Sequence, residues 1–187
     1  MGEVIVITSG KGGVGKTTIT ANLSIALAKK GKSVIAIDTD IGLRNLDVVM
    51  GLENQIVYNL VDVLEGNCRL KQAVIKDRRH ANLYLLPSAQ SKDKNAVSPE
   101  QMIGLTNCLK EEFDYVLIDC MPSLGMLTIN ALAASDSVIV PVQAQYLPAK
   151  GMTQLMKTIG KVQRQINPAL KVDGVLLTLA DMRTNLA

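Results

Sequence analysis

With 187 residues, a formal net charge of +3, 48% apolar and 20% charged residues, the chain is expected to form one folded domain over residues 1–187, which excludes a disordered protein. The small net charge and the scarcity of aromatic residues argue against a stacking platform for single-stranded nucleic acid. Cys68, Cys108 and Cys120 form no C-x-x-C pair, which argues against a disulfide framework or a self-contained zinc site and favours a reducing cytoplasm.

Six short apolar runs predict β-strands. In chain order they span residues 4–8, 33–37, 83–86, 115–118, 137–142 and 172–179. Because these runs are almost continuously Val, Ile and Leu, we expect strands that are buried on both faces.

Between the runs, apolar residues recur at helical spacing. They predict helices at residues 16–30, 57–64, 99–112, 127–134 and 149–166, with Ser98 as the N-cap and Pro99 as the first residue of the third helix. Strands that alternate with helices predict an α/β fold, in which helices flank both faces of a mainly parallel, twisted sheet. Right-handed crossovers then bring together the loops that follow Thr8, Ile37 and Ile118, at the carboxyl ends of their strands.

A phosphate-binding loop follows the first predicted strand. The pattern G-x-x-x-x-G-K-[ST] is met by Gly10, Gly15, Lys16 and Thr17, between a strand and a helix. Such a loop points backbone N–H groups at phosphates, while its lysine reaches the β- and γ-phosphates and its hydroxyl ligates Mg²⁺. The sequence therefore predicts a P-loop NTPase fold that binds ATP or ADP with Mg²⁺; the alternative is a glycine-rich turn without a ligand.

Carboxylates end two of the predicted strands. Asp119 follows Tyr-Val-Leu-Ile and is the expected Walker B acid beside the metal, although such an acid can also serve only as a cap. Asp38 and Asp40 end the second strand; Asp38 is the better candidate for the metal side and Asp40 for orienting an attacking water. The alternative is that both residues only cap the following turn.

Lys11 departs from a generic phosphate loop. It cannot easily reach its own phosphate beside Lys16, so its ammonium is available to the nucleotide of a partner subunit; the alternative is a solvated lysine. Arg78–Arg79, in the charged turn at residues 76–80, and Lys161–Arg164 are expected to be solvated groups, with phosphate contact as the alternative.

At residues 11–18, Lys-Gly-Gly-Val-Gly-Lys-Thr-Thr, the sequence resembles the deviant Walker A ATPases of the MinD/ParA (Soj) family. Residues 1–120 resemble the MinD branch, most clearly at 38–47, 50–54 and 57–65, whereas residues 119–187 resemble the ParA/Soj branch at 119–125, 128–132, 141–146 and 177–184. A natural mosaic and an assembled chimera would both give this pattern. Because both branches continue beyond position 187, the chain is also expected to be a domain truncated at its C-terminus.

The resemblance implies a homodimer that encloses two ATP molecules. In it Lys11 contacts the partner's nucleotide, Asp40 orients the attacking water and Asp119 holds Mg²⁺ through water. The residues that the resemblance and the loop motif together assign to the nucleotide are Gly10, Gly12, Gly13, Val14, Gly15, Lys16, Thr17, Thr18 and, beside the adenine, Asp181.

The expected function is an ATPase that switches between monomer and dimer during spatial organisation in bacteria. One branch implies division-site selection on a membrane surface with a MinE-type partner, and the other implies chromosome or plasmid partitioning on DNA with a ParB-type partner. Either role implies a cytoplasmic protein at the periphery of the membrane or nucleoid. The alternatives are a metabolic or iron–sulfur-carrier ATPase of the nitrogenase iron-protein superfamily and a bacterial tyrosine-kinase domain.

Overall fold

The computed structural model describes residues 2–42, 44–90, 97–121, 124–143 and 149–179, without the side chains of residues 149 and 150. Within these ranges the strands are β1 (Glu3–Ile7), β2 (Val34–Asp38), β3 (Ile75–Lys76), β4 (Leu83–Leu86), β5 (Tyr115–Asp119), β6 (Ser137–Gln143) and β7 (Lys171–Thr178). The helices are α1 (Lys16–Lys29), α2 (Leu46–Met50), α3 (Leu60–Leu64), α4 (Leu70–Ala73), α5 (Pro99–Glu112), α6 (Met126–Ala133) and α7 (Ala149–Gln165), with a 3₁₀ turn at Glu53–Gln55.

The strands form one sheet in the order β3-β4-β2-β5-β1-β6-β7. Every neighbouring pair is parallel except β3 and β4, which confirms the predicted α/β fold. Ile7 of β1 and Asp38 of β2 both pair with Asp119 of β5, so three strands end at the same level. This carboxyl edge of the sheet is where the predicted site must lie.

The sheet separates two hydrophobic cores. Val4 and Val6 of β1 face the core that α5, α6 and α7 cover, whereas Ile5 and Ile7 face the core that α1 and α2 cover. This alternation follows from the period of two in a strand. The prediction that the strands are buried on both faces is therefore confirmed for β1, and β2 and β5 divide their side chains between the two cores in the same way.

Strand β7 corrects that prediction. It lies at the edge of the sheet, and Val175, Leu176 and Leu177 are 46%, 44% and 58% exposed. An apolar run indicates that a strand can be buried, but the strand order decides whether another strand or helix covers it. The Thr178 hydroxyl nevertheless donates to the Val14 carbonyl at 2.9 Å, which ties β7 to the phosphate loop.

The ends of the helices follow from local capping. Helix α5 has the predicted bounds, since the Ser98 hydroxyl accepts from the Gln101 N–H and Pro99 begins the helix. The helix predicted at 57–64 begins only at Leu60, because Asn59 is extended and caps it. The short elements α2, α4 and β3 were not predicted, because two to five residues cannot display a periodic pattern.

Candidate nucleotide site

The phosphate loop leads into the N-terminus of α1 at the carboxyl edge. Gly13 and Gly15 have φ angles of 74° and 90°, a left-handed conformation that favours glycine. Helix α1 then begins at Lys16 with no side-chain cap and no acidic residue in its first turn. The first N–H groups of the helix are thus not satisfied by side chains, and the positive end of the helix dipole faces the loop. Both features fit a phosphate group.

Gly10 has a second role that the motif does not reveal. A Cβ atom built on Gly10 would lie 2.3 Å from the carbonyl oxygen of Gly151 in α7, and one built on Gly151 would lie 2.8 Å from the Gly10 oxygen. The two backbones therefore pass too close for any side chain. Gly10 is required where α7 meets the loop, which only the tertiary structure shows.

Lys16 is buried in the site with its ammonium close to the loop. Its side chain donates to the Ser9 hydroxyl at 3.2 Å, and Ser9 donates to the Lys11 carbonyl at 2.6 Å. Burial lowers the pKa of Lys16, while the nearby charge of Asp119 opposes the decrease. Asp119 offsets only part of the cost of burying the charged ammonium, so an anionic ligand would stabilise the charged form of Lys16.

Asp38 and Asp119 lie side by side on paired strands, and both are almost fully buried. Burial raises the pKa of the Asp38 carboxyl to about 7, and the charge of Asp119 adds to this increase. Burial also raises the pKa of Asp119 to about 6, although a hydrogen bond with Thr17 and the charge of Lys16 oppose it. Two buried carboxylates that resist ionisation together are suited to a divalent cation.

The donor set around these acids fits Mg²⁺. The residues that would hold it are Thr17, through its hydroxyl, and Asp119 and Asp38, all of which offer oxygen atoms. In the part of the chain that the structure describes, no group of three or more His, Cys, Asp or Glu side chains is placed to hold a metal ion. Mg²⁺ commonly uses one or two protein carboxylates and completes its shell with waters and substrate phosphates.

Three polar residues that contact Asp119 or Lys16 were not predicted. The Thr20 hydroxyl lies 3.5 Å from the Asp119 carboxylate and donates to the Lys16 carbonyl at 3.0 Å. Thr39 donates its hydroxyl to the Asp119 carbonyl at 2.8 Å, and Ser9 holds Lys16 as described. A signal for Thr20 was present, because it lies three residues after Thr17 and hence on the same face of α1.

The remaining predicted residues surround the same edge of the sheet. A cavity of about 520 Å³ is lined by Gly13, Gly15, Lys16, Thr17, Thr18, Asp40, Asn45, Val48, Val49 and Cys120. Asp40 is half-buried, and its N–H donates to the Asp38 carboxylate at 2.8 Å. Lys11, Gly12 and Thr18 are exposed and Val14 is buried, whereas Asp181 lies outside the described residues.

Because the pKa values of Asp38 and Asp119 are raised, the effect of Mg²⁺ on stability depends on pH. In the metal-free fold they retain protons that the unfolded chain releases, so their burial costs stability increasingly as the pH rises from 3.8 to about 7. Mg²⁺ needs the ionised carboxylates. We expect Mg²⁺ with ADP to raise Tm more at about pH 8 than at about pH 5.5, by on the order of a few degrees. Thermal unfolding measures this, with ADP alone as the control; an equal Mg²⁺-dependent increase at both pH values would contradict it.

A glycine loop before an uncapped helix, a buried lysine and paired strand-end acids on a mainly parallel sheet define the P-loop NTPase class. A model of the family described as AAA domain matches residues 2–172. Septum site-determining protein MinD of Bacillus subtilis (strain 168) is 50% identical over 176 residues, which are 94% of this chain and 66% of that protein. The corresponding MinD of Synechocystis sp. is 44% identical over 195 residues, covering 96% of this chain and 73% of that protein. The chain belongs to the MinD family of ATPases.

Solved structures share this fold. MinD of Pyrococcus horikoshii OT3 complexed with Mg-ADP has a TM-score of 0.81 at 31% identity, covering 95% of this chain and 70% of that one. Cobyrinic acid a,c-diamide synthase from Mycobacterium smegmatis with bound ADP and magnesium has a TM-score of 0.84 at 34% identity, covering 98% and 77%. MinD in the MinC:MinD complex of Aquifex aeolicus has a TM-score of 0.76 at 40% identity, covering 91% and 67%. Two of these three relatives bind ADP with magnesium, the group that the oxygen donors of this site fit.

Proposed function

We propose that the chain is an ATP-dependent dimerising ATPase that acts as a switch in division-site selection. It spans 66% of the length of the Bacillus MinD, so the activity of the whole protein is part of this proposal. Residues 1–187 are proposed to belong to one P-loop domain. The observation that carries the proposal is an exposed lysine, Lys11, in the phosphate loop. The cavity beside that loop also has an apolar rim, which consists of Val48 and Val49.

The apolar rim supports a dimer that closes over the nucleotide. Val48 and Val49 of α2 are 60% and 51% exposed, yet they line the same cavity as Lys16 and Asp40. Exposing two adjacent valines to water costs free energy in a permanent monomer. Burying them against a second subunit would stabilise the dimer. Lys11 stands on the exposed side of the loop, where its ammonium can reach phosphates that belong to that subunit.

The residues of the site then have the following roles in ATP hydrolysis. Lys16 holds the β- and γ-phosphates, and the free N–H groups at the start of α1 bind the phosphate oxygens. Mg²⁺, when bound, neutralises charge on the phosphates. Asp40, on the turn after β2, is the group that orients an attacking water, and its N–H bond to Asp38 holds that turn against the metal side of the site. Hydrolysis removes the γ-phosphate that the two subunits share, so the dimer separates.

Replacing Lys11 with alanine tests the shared site. Lys11→Ala is expected to leave ATP binding by the monomer within about twofold, because Lys16 and the loop N–H groups remain. ATP-dependent dimerisation should weaken by about tenfold or more, since one cross-subunit ion pair in each of two sites is lost. Light scattering with ATP and with ADP measures it.

The matched control is Lys30→Ala, which removes an exposed lysine beyond the other end of α1. It should leave both binding and dimerisation unchanged. An undiminished dimer in Lys11→Ala would contradict the role of this lysine in the partner's site, although it would leave the ATPase assignment intact.

A second candidate function, DNA partitioning, is favoured by helix α7. This helix has four basic residues and no acidic residue. Lys157, Lys161 and Arg164 are exposed along an open groove of about 950 Å³, so they present one positive face. A polyanion such as DNA would complement that face.

The two candidates differ in the surface that stimulates hydrolysis. The ATPase rate with liposomes and a MinE-type protein should be compared with the rate with duplex DNA and a ParB-type protein, using the full-length protein. Stimulation only by the membrane system supports division-site selection, and stimulation only by the DNA system supports partitioning. The relative in the MinC:MinD complex of Aquifex aeolicus favours the first outcome.

The proposed location is the cytoplasm, with peripheral contact to one of these surfaces. Cys68, Cys108 and Cys120 are free thiols. Among the described helices, none combines the length and the apolar character needed to cross a membrane.

A further inference from the structure

Helix α2 is held by a polar contact at each of its ends. At its start, the Leu46 N–H donates to the Asp38 carboxylate at 3.2 Å. At its end, the Arg79 guanidinium donates to the Met50 carbonyl, and Gly51 ends the helix in a left-handed conformation with a φ of 65°. The first contact lies at the nucleotide edge and the second on the turn between β3 and β4. Helix α2 therefore bridges the site and the far end of the sheet.

The turn that carries Arg79 is hydrogen-bonded to a buried acid, Asp77. Asp77 is 1% exposed and accepts hydrogen bonds from the N–H groups of Arg79 and His80, at 2.6 and 3.2 Å. Its carboxylate also binds the Arg79 guanidinium through Nε at 3.3 Å and Nη2 at 2.9 Å. The Arg79 side chain is 58% exposed, as expected of a solvated group, yet it is also paired with this buried acid. The guanidinium is locked by a buried acid and is aimed at the end of α2.

The turn between β2 and α2 connects this helix to Asp40. The Arg44 N–H donates to the Asp40 carbonyl at 3.2 Å, and the Arg44 side chain bonds to the buried Asp47 in α2 at 2.8 and 2.5 Å. Arg44 has a φ of 47°, an unusual conformation for a residue other than glycine. Arg44 thus links α2, through Asp47, to the carbonyl of Asp40.

We infer that Arg79 is a positioning residue for ATP hydrolysis, which acts through α2 on Asp40 and on the exposed valines of the apolar rim. A helix of five residues has little stability of its own, so its position depends on what holds its ends. Leu46 and Met50 anchor its inner face in the core and keep it folded. Arg79 sets where its C-terminal end lies. This inference rests on the proposed function, because it requires Asp40 to act in hydrolysis.

Arg79→Ala tests the inference against Arg78→Ala, a matched control with the same charge change at the adjacent exposed arginine. In Arg79→Ala we expect kcat to fall by about tenfold while the KM for ATP stays within about twofold, because the phosphate loop is unchanged and only Asp40 is misplaced. Arg78→Ala should retain the kcat of the parent. Arg79→Lys should recover part of the loss in kcat. A lysine ammonium can donate to the Met50 carbonyl, but it cannot also form the two N–H contacts that the guanidinium makes with the Asp77 carboxylate.

A purely structural role would give a different result. It would lower Tm while leaving kcat per folded molecule unchanged, which would overturn the inference, as would equal kcat values in Arg79→Ala and Arg78→Ala. Hydrogen exchange at residues 46–51 should accelerate in Arg79→Ala but not in Arg78→Ala. If Arg79→Ala does not fold, Arg79→Lys is compared with Arg78→Lys by the same criteria. A parent protein without ATPase activity would instead refute the proposed function.

Discussion

Replacing Lys16 with alanine is expected to abolish ATP hydrolysis. Lys16 is the buried cation of the site, and its pKa is lowered by burial even though Asp119 lies nearby. Lys16→Ala removes the positive charge that contacts the β- and γ-phosphates in the proposed site. A preorganised charge in such a position commonly contributes about 10²–10³ in rate, so hydrolysis should fall to the background of the assay.

The measurement is phosphate release together with binding of a fluorescent ATP analogue. Lys29→Ala, at the other end of the same helix, is the matched control and should retain parental turnover, because Lys29 is exposed. Lys16→Ala should also remain folded, since it removes a charge that is costly to bury. Unchanged turnover in Lys16→Ala would refute the assignment of the phosphate loop as the active site.

Asp40→Ala is expected to separate ATP binding from hydrolysis. The loop, Lys16 and the acids beside the metal remain, so ATP should bind and the dimer should form. Without the carboxylate that orients water, kcat should fall by about 10²-fold or more, and the ATP-bound dimer should persist. Light scattering after ATP addition should therefore show a long-lived dimer, whereas the parent dimer decays as ATP is consumed.

Asp173→Ala provides the control for Asp40→Ala, because Asp173 is an exposed acid on β7. Its dimer should decay at the parental rate. If Asp40→Ala instead loses nucleotide binding, Asp40 belongs to the metal site or stabilises the turn after β2. That outcome would also remove the basis for the role of Arg79, since Arg79 is proposed to act through Asp40.

Much of the site could be predicted from the sequence because its signals are local. Gly15 and Lys16 stand in one motif between a strand and a helix, and Asp38 and Asp119 end apolar strands whose carboxyl ends are brought to one edge by right-handed crossovers. The structure places these residues at one edge of the sheet, as predicted. Their roles in catalysis stay predictions.

Other parts of the site could not be predicted because they depend on contacts between distant segments. The approach of Gly151 to Gly10 joins residues that are far apart in sequence, and neither residue carries a side chain that would announce it. The contact between Arg79 and Met50 is of the same kind, since a charged turn is usually solvated. Helix α2, which carries the apolar rim, was missed because five residues show no periodicity.

The sequence by itself determined the fold class, the phosphate loop and the family of this protein, because strand and helix periods, glycine positions and the lysine–threonine pair are properties of short segments. The tertiary structure alone decided which apolar strand is exposed, which charges are buried and what holds α2. These depend on strand order and on desolvation, which are set only when segments distant in sequence come into contact. Lys11 shows both contributions: its position in the motif suggests a partner's nucleotide, and only the structure shows that it is exposed whereas Lys16 is buried.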